Sequence, residues 1–435
     1  MRVCVQGLWH LGSVTAACLA SVGHDVLGLD ADAKTVKNLS WGKAPLFEPG
    51  LDDLLQAGID QGKLKFLANA AQALEGVDVL WVAFDTPVDD EDRADVAYVQ
   101  RQVQTVLPYL PDGAVVLVSS QMPVGSVRKL EIFAQKSMPG KKLEFACSPE
   151  NLRLGKAIEV FTKPDRAVVG VSSPHAREVL QRLFEPLTDK IEWMSVESAE
   201  MTKHAINAFL ATSVTFANEI ASICELVGAD AKEVERGLKT EARIGPKAYL
   251  SPGGPFAGGT LARDIEFLGI ESQAHYLVTP LLSAVRPSNN EHKNWLRRKL
   301  QQQFRELAGV CVALWGLTYK HGTDTMRRSL AVELCDWLLL QGAKVQVYDP
   351  AVKQIPERWL GKVAQHSRAL EALSGADVLV VGTEWPEFKK SAGQLGSYAK
   401  SGLVVIDPNR HLQEQFEHSR FSYLAVGTPL KSWGT

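Results

Sequence analysis

Short apolar runs alternate with helical segments along the first third of the chain. Residues 2–6 predict a strand, residues 13–23 predict a helix with small residues on its packing face, and residues 25–29 predict a second strand. Four further strands are predicted by largely apolar runs at 77–84, 114–118, 143–147 and 167–171. Polar residues follow most of these runs. Strands that alternate with helices in this way are typical of a doubly wound α/β domain with its cleft at the carboxyl ends of the strands.

The pattern changes near Ser198, where apolar residues begin to recur at helical spacing and predict one long helix. Lys203 and Asn207 are four residues apart and therefore lie on one face of that helix. A lone lysine is usually a solvated surface charge, whereas a lysine paired with an amide on an apolar face is a candidate functional group. The basic segment that includes Lys293 and Lys299 indicates a domain boundary and, by our interpretation, a solvated helix face.

The last third repeats the opening pattern. A strand is predicted at 310–315, a helix that ends at Gly342, and further strands at 344–348, 376–381 and 403–406. The sequence therefore predicts an α/β fold with two Rossmann-like doubly wound domains joined by a central helical segment. The predicted domains span 1–196, 197–298 and 299–435, and two domains of this type suggest two nucleotide-bearing ligands.

Residues 243–264 show neither strand nor helix periodicity and predict a long loop within the central domain. Eight glycines and prolines lie in this loop, so its backbone is partly stiffened and partly able to approach a ligand closely. It also carries Arg243, Lys247, Arg263 and Asp264. Long ordered loops tend to carry function, and the alternative is a simple interdomain linker.

Composition excludes several classes of protein. The 435 residues are 46% hydrophobic and 22% charged, as in an ordinary soluble globular protein, and a net charge of −3 does not favour nucleic acid or an anionic membrane surface as partner. The six cysteines form no CxxC pair, which argues against a zinc site or a disulfide framework. We find no signal peptide and no apolar run that predicts a membrane span, and we therefore expect a cytoplasmic location.

The first strand, turn and helix have the layout of a dinucleotide-binding βαβ unit. Gly7 and Gly12 frame the turn, and Asp30 ends the second strand about 20 residues after it. An acid at that position binds the ribose hydroxyls and disfavours a 2′-phosphate, so the pattern favours NAD over NADP. Trp9 stands where the GxGxxG pattern has its second glycine, and GxxxxG alone is weak evidence.

Many short motifs, in order, make the chain resemble the UDP-glucose/GDP-mannose dehydrogenase family along nearly its whole length. These motifs are the opening βαβ unit with Asp30, the segments at 45–51, 86–87, 94–95, 123–125, 148–153 and 164–166, Lys203 with Asn207, Asn218-Glu219, the segments at 316–320 and 323–324, the single residues Arg327 and Ser329, and the segment at 383–388. The resemblance implies an N-terminal NAD domain, a central helix that forms a homodimer, and a C-terminal domain that binds the UDP of a nucleotide sugar. Family members oxidise the sugar C6 alcohol to a carboxylate in two hydride transfers, through a cysteine in the glycine loop.

The resemblance also implies roles for individual residues. Lys203 and Asn207 would stabilise oxyanions, Asp264 would assist proton transfer, and Thr260 falls at the position of the nucleophile. The expected NAD contacts are Gly7, Trp9, His10, Leu11, Gly12, Asp30, Thr86, Ser120, Glu150 and Arg327. The expected substrate contacts are Glu150, Asn151, Leu152, Arg153, Lys203, Asn207, Arg243, Tyr249, Gly258 and Lys320.

Three departures from the family pattern affect the chemistry. Thr260 replaces the cysteine, Gln121 replaces a threonine, and Leu154 replaces a glutamate, so the nucleophile and the groups that position water are changed together. An alcohol cannot readily replace a thiolate, because the thiol pKa near 8.5 lies far below that of a hydroxyl. Our leading hypothesis is an NAD-dependent oxidation of a UDP-hexose by a single two-electron step, which leaves an aldehyde or ketone.

Two alternatives remain open from the sequence. The chain could be a UDP-sugar-binding regulator or dimerisation partner without catalytic activity, an interpretation supported by Trp9 in the cofactor turn. It could also perform the ordinary four-electron oxidation of UDP-glucose to UDP-glucuronate by another route. Tight NAD binding favours an enzyme, whereas binding of UDP-sugar without NAD favours the regulator.

Overall fold

The computed structural model describes residues 1–89, 94–150, 152–257 and 259–429, apart from the Ser397 side chain. The chain divides into two compact units, Met1–Ile206 and Asn207–Thr435. Each unit contains one sheet, and each is described separately below. The division into three domains at 196 and 298 stays a prediction.

An eight-stranded sheet forms the first unit. Its strands are β1 Arg2–Gln6, β2 Asp25–Leu29, β3 Leu64–Leu67, β4 Val79–Val82, β5 Val115–Val118, β6 Glu144–Cys147, β7 Ala167–Val171 and β8 Ile191–Met194. The helices between them are α1 His10–Ser21, α2 Ala33–Leu39, α3 Leu51–Asp60, α4 Ala70–Ala73, α5 Val96–Val106, α6 Ser126–Ser137, α7 Ala157–Thr162 and α8 Pro174–Phe184, with a 3₁₀ turn at Leu107–Tyr109.

The strand order of this sheet is β3-β2-β1-β4-β5-β6-β7-β8, and every pair is parallel except the antiparallel β6 and β7. The central strands are apolar on both faces because helices cover both sides, and the four residues of β4 are all buried. The direction in which strands are added to the sheet reverses between β1 and β4. These two strands are neighbours, with Val3 opposite Val79. A reversal of this kind opens a crevice at the carboxyl ends of the two strands, where nucleotides bind in such sheets.

One helix, α9 Val196–Val227, runs from the end of the first unit into the second. The second unit continues with α10 Ala231–Thr240, α11 Thr260–Ala274, α12 Pro280–Lys293, α13 Trp295–Gln303, α14 Leu330–Leu340, α15 Ala369–Ala372, α16 Pro386–Ala392 and α17 Gln413–Phe416, with 3₁₀ turns at Glu357–Trp359 and Leu395–Ser397. Its strands are β9 Cys311–Trp315, β10 Lys344–Tyr348, β11 Val363–Gln365, β12 Val378–Val381, β13 Val404–Ile406 and β14 Ser422–Leu424.

The six strands of the second unit are all parallel, in the order β11-β10-β9-β12-β13-β14. This order has the same reversal at its centre as the first sheet, between β9 and β12. The predicted fold, with two Rossmann-like sheets and a helical segment between them in the chain, is therefore confirmed.

Several helices begin where the local sequence supplies a cap. Side-chain oxygens accept hydrogen bonds from the first free backbone N–H groups of these helices, which the helix itself cannot satisfy. The capping residues are Asp32, Asn69, Asp95, Ser173, Asp230 and Ser329.

Residues 260–264, which we predicted as the end of the glycine loop, instead form the first turn of α11. Gly259 precedes this turn with φ +99, a conformation that favours glycine, and marks where the loop ends. No glycine or proline follows until Gly269, and Leu261, Ile265 and Leu268 recur at helical spacing in one apolar cluster. The loop prediction was therefore wrong for these five residues.

The basic helix α13 is also not a fully solvated face. Lys299 is only 5% exposed, and its ammonium lies 2.7 Å from the carboxylate of Glu225. The helical spacing of the sequence placed Lys299 on the same side as Trp295, which is itself buried. That part of the prediction was wrong because a carboxylate 74 residues earlier in the chain satisfies the buried charge.

By length and composition alone, α9 is apolar enough to cross a bilayer, contrary to our expectation from the sequence. Its most apolar 18-residue window has a mean hydropathy of 1.2 and is 44% buried within the structure. Core helices of water-soluble proteins pass the same test, so this property is weak evidence for a membrane span.

Candidate functional site

The turn between β1 and α1 is packed so closely that two of its residues must be glycine. Gly7 adopts φ +89, and a Cβ atom built there would lie 2.6 Å from the ring of Phe84. A Cβ atom on Gly12 would lie 1.7 Å from the carbonyl oxygen of Gly7. Strand and helix therefore approach as a dinucleotide-binding turn requires, with the N-terminus of α1 at the crevice.

Asp30, the predicted ribose contact, directly follows β2 and lies beside the glycine turn. Its Oδ2 accepts a hydrogen bond from the Leu8 N–H at 2.8 Å, and its Oδ1 accepts one from the Asp32 N–H at 2.9 Å. These bonds hold the carboxylate at the end of β2. The side chain of Trp9 is 52% exposed, and that of His10 contacts Glu48 with Nε2 and Oε2 3.0 Å apart. The turn, the carboxylate and the helix terminus together fit NAD.

A pocket lies beyond the carboxyl ends of β5 and β6, with Lys203 in its wall. The Lys203 ammonium donates to the carbonyl oxygen of Glu150 at 2.6 Å and lies 3.5 Å from the Glu150 carboxylate. Lys203 itself is only 9% exposed, so the charge is held at a fixed place by the segment that follows β6. The amphipathic pattern of α9 predicted this lysine as a functional candidate, and the structure brings it together with Glu150 and Ser120 in one pocket.

Other polar groups of this pocket are mostly satisfied by the protein. Thr86 donates to the carbonyl oxygen of Gln121 at 2.7 Å, and Glu200 accepts from the N–H groups of Gly125 and Val127 at the start of α6. Burial raises the pKa of the Glu200 carboxyl, although these two bonds oppose the rise. Among the described residues, nothing hydrogen-bonds to the buried hydroxyl of Ser120, which leaves this group available to a ligand.

Cys147 also lines this pocket and is a buried thiol. Burial, together with the negative charge of Glu200, raises its pKa well above the ordinary value. The thiolate is the nucleophilic form of cysteine, so this environment opposes nucleophilic reactivity at Cys147.

In the second unit, the predicted residues Asn207 and Asp264 are joined by a hydrogen bond. The Asn207 amide donates to Oδ2 of Asp264, and Asp264 is completely buried. Thr260 lies one turn earlier on α11, at the first helical position, and is exposed. The amide–carboxylate pair is thus shielded from water, whereas the hydroxyl at the predicted nucleophile position is accessible.

Polar side chains hold the preceding glycine loop in place. The Gly253 N–H donates to Asn218 at 3.0 Å, and the Gly254 N–H donates to Asn409 at 2.7 Å. Asn289 bonds both the N–H and the carbonyl oxygen of Phe256, at 3.0 and 2.8 Å. Residues 253–256 of the loop are therefore fixed to the rest of the second unit, and a functional role of the loop stays a prediction.

Arg328 is a residue of this site that the sequence did not single out. Its backbone has φ +61, which is uncommon for a residue other than glycine, and its guanidinium packs against Gly259 immediately before Thr260. Burial lowers the pKa of Arg328. The only sequence signal was its place directly after Arg327, the predicted NAD contact.

The remaining predicted contacts are mostly solvent-accessible. The exposed set comprises Arg153, Arg243, Tyr249, Lys320 and Arg327, while Leu152 is partly buried. Burial, and to a smaller extent the charge of Tyr249 in the glycine loop, raises the pKa of Tyr319, the neighbour of Lys320. The predicted contacts Asn151 and Gly258 lie outside the described residues.

Protein-family models match three successive parts of the chain. They are the NAD binding domain of the UDP-glucose/GDP-mannose dehydrogenase family at residues 1–188, its central domain at 197–291 and its UDP binding domain at 313–414. The chain belongs to this family. The family assignment agrees with the dinucleotide turn and with the two sheets, and it makes NAD the cofactor.

Similar proteins of the family match the chain along almost its full length. A UDP-glucose 6-dehydrogenase of Rhizobium meliloti (strain 1021) is 33% identical, over 99% of this chain and 100% of its own. The structure of a UDP-glucose dehydrogenase from Pyrobaculum islandicum superimposes with a TM-score of 0.87 at 27% identity, covering 99% of this chain and 98% of its own. A UDP-D-ManNAc dehydrogenase from Pyrococcus horikoshii does so with a TM-score of 0.84 at 25% identity, covering 98% and 99%.

Proposed function

We propose that this family member oxidises a UDP-hexose with NAD in a single two-electron step. The product would be a carbonyl compound, an aldehyde or a ketone, and not a carboxylate. The observation that carries the proposal is the buried ammonium of Lys203, held by Glu150 in a pocket at the carboxyl edge of the NAD domain's sheet. The relatives named above act on different UDP-sugars, so the identity of the hexose is left to experiment.

The proposed reaction needs few groups. The sugar alcohol gives its hydrogen as a hydride and its hydroxyl hydrogen as a proton, and NAD, when bound, supplies the hydride acceptor. Lys203 and Asn207, one turn apart on α9, would stabilise the negative charge that develops on the sugar oxygen. Asp264, to which Asn207 donates, would take part in transfer of the proton.

The burial of the cysteine thiols supports an oxidation that stops after one two-electron step. A second oxidation through a thioester needs a thiolate, and we place Thr260 at the position of the family's nucleophilic cysteine. All six cysteines are free thiols. Burial raises the pKa values of five of them: Cys4, Cys18, Cys147, Cys224 and Cys335. The sixth, Cys311, lies on β9 of the C-terminal sheet.

We expect one NADH for each UDP-sugar consumed. The measurement uses purified protein, NAD and a panel of UDP-hexoses, with NADH followed by absorbance and the sugar product identified by mass spectrometry. A ratio of two with a uronate product would contradict the proposal and would support the ordinary four-electron oxidation.

The matched variant for this measurement is Thr260→Cys, with Thr260→Ser as its control. A thiol at the first position of α11 would lie at a helix N-terminus, which lowers thiol pKa values and favours the thiolate. We expect the ratio of NADH to sugar to rise above one in Thr260→Cys and to stay at one in Thr260→Ser. A ratio that stays at one in both variants would show that position 260 does not limit the reaction.

A binding protein is the second candidate function. Trp9 at the cofactor turn favours it, because its bulk stands where the fingerprint has a glycine. Equilibrium titration distinguishes the two functions: an enzyme binds both NAD and a UDP-sugar, whereas a regulator binds the UDP-sugar alone. No NADH, with UDP-sugar still bound, would favour the regulator.

We also propose that the chain forms a homodimer through α9. Phe209, Phe216 and Ile223 recur every seven residues on this helix and are 68%, 46% and 55% exposed. A stripe with this period is the pattern of a helix that packs against another helix. Leu226 and Val227, also exposed, extend the apolar surface to the end of the helix.

Introducing negative charges into this apolar stripe is expected to dissociate the dimer into single chains. The double variant Phe216→Glu/Ile223→Glu should elute with the mass of one chain in light scattering, because two like charges would face the stripe of a second copy. Leu340→Glu is the control, since Leu340 is 83% exposed on α14 and lies outside the stripe. A dimer that persists in the double variant would rule out α9 as the interface.

A further inference from the structure

The N-terminus of α1 already carries a carboxylate from elsewhere in the chain. The N–H of Leu11, the second residue of α1, donates to Oδ2 of Asp85 at 3.1 Å. Asp85 follows β4 and is 74 residues away from Leu11 in the sequence. The first N–H groups of a helix have no partner within the helix, so this one is satisfied by a charged side chain from the neighbouring strand end.

This N–H group belongs to the place where a dinucleotide puts its pyrophosphate. In dinucleotide-binding βαβ units the pyrophosphate lies at the N-terminus of the first helix, where free N–H groups and the helix dipole favour negative charge. The Asp85 carboxylate therefore places a negative charge where the pyrophosphate of a bound dinucleotide would lie. A pyrophosphate that approaches α1 must displace the carboxylate from Leu11, and it meets the repulsion of a like charge as long as Asp85 stays near.

Asp85 differs from the other carboxylate of the turn, Asp30. The bonds of Asp30 to Leu8 and Asp32 fix the carboxylate at the end of β2, where it faces the ribose hydroxyls, which are neutral. Asp85 is an exposed residue that follows β4, and its carboxylate reaches the turn through the bond to the Leu11 N–H. The packing of Gly7 against Phe84, next to Asp85, brings this segment to the turn.

We propose that Asp85 sets the affinity of this protein for its cofactor. Its carboxylate accepts the hydrogen bond of the Leu11 N–H that the pyrophosphate would otherwise accept. NAD therefore binds only when its pyrophosphate displaces the Asp85 carboxylate from this N–H. The consequence is selective, since ligands with a pyrophosphate are opposed by Asp85 whereas the nucleoside part of the cofactor is not. This inference rests on the NAD-binding domain and does not depend on the number of electrons transferred.

The test compares Asp85→Asn and Asp85→Gly with the wild type. Asparagine keeps the shape of the Asp85 side chain and removes its charge, whereas glycine removes the side chain and leaves the Leu11 N–H without the carboxylate. Binding of NAD, ADP-ribose and adenosine is measured by isothermal titration calorimetry on the full chain, and circular dichroism checks that each variant is folded. Asp53→Asn is the matched control, because Asp53 is an exposed carboxylate in the first turn of another helix, α3, of the same unit.

A hydrogen bond with a charged partner is worth enough to change an equilibrium constant roughly tenfold or more. We therefore expect NAD and ADP-ribose to bind at least roughly tenfold more tightly to both Asp85 variants, and adenosine to bind as it does to the wild type. Asp53→Asn should match the wild type for all three ligands. Unchanged or weaker ADP-ribose binding in folded Asp85→Asn and Asp85→Gly overturns the proposal, as does an equal gain for adenosine.

Discussion

Replacing Lys203 by methionine is expected to lower kcat by a factor of roughly one hundred to one thousand, the usual cost of removing one preorganised donor to a developing oxyanion. Methionine fills nearly the same volume but brings neither charge nor donor to the pocket. The ammonium of Lys203 is held 2.6 Å from the Glu150 carbonyl oxygen, so its position is fixed before substrate arrives. Steady-state NADH formation with the best UDP-hexose measures the effect.

Two controls separate the role of Lys203 in the reaction from a role in folding. Lys129→Met removes an exposed lysine from α6 of the same unit and should leave kcat unchanged. Binding of NAD and UDP-sugar to Lys203→Met, measured by calorimetry, should persist if the lysine acts mainly on the transition state. A kcat within about threefold of the wild type would remove Lys203 from the proposed mechanism, because that change is far below the expected loss.

Local sequence was sufficient to predict both sheets and part of the cofactor site. Apolar runs such as 79–82 and 378–381 are short and continuous, each follows an aspartate, and all of their side chains are buried. Asp30 could be placed because its distance from the glycine turn is set by one helix and one strand. Lys203 could be singled out because α9 is long and strongly periodic there.

Edge elements and long-range pairs could not be predicted in the same way. The strands β3, β8, β11 and β14 have three or four residues each, too few to show a period, and β7 gives no local sign that it will pair antiparallel with β6. The contact of Asp85 with Leu11 depends on which strands become neighbours in the sheet. Sequence spacing alone carries no information about such contacts.

A buried ion pair in the second unit illustrates this limit. Glu225 of α9 is 6% exposed, and its Oε2 lies 2.7 Å from the ammonium of Lys299 on α13. Its Oε1 accepts hydrogen bonds from the Trp295 indole N–H at 2.8 Å and from the Gly427 N–H at 2.9 Å. One carboxylate thus joins α9, α13 and the segment after β14.

Glu225→Leu is therefore expected to destabilise the protein by about 3–5 kcal/mol, the usual cost of leaving one member of a buried ion pair without its partner. Leucine would leave the buried ammonium of Lys299 without its counter-charge and two N–H groups without an acceptor. The shift in the midpoint of urea unfolding measures the effect. The exposed pair Glu233–Arg236, 3.6 Å apart with both side chains at least 70% exposed, supplies the control variant Glu233→Leu. That control should change stability by less than about 1 kcal/mol.

The double variant Glu225→Leu/Lys299→Met tests the cause of this loss. If the cost comes from the buried charge, removing Lys299 as well should recover much of the stability, because apolar pairs of similar volume often replace buried ion pairs without loss. The N–H groups of Trp295 and Gly427 lack their acceptor in the single and the double variant alike, so the difference between the two variants reports the cost of the unpaired Lys299 charge. A double variant no more stable than Glu225→Leu would instead assign the loss to the bonds with Trp295 and Gly427, and Glu225 would then act mainly as an acceptor that fixes α13 and the segment after β14 to α9.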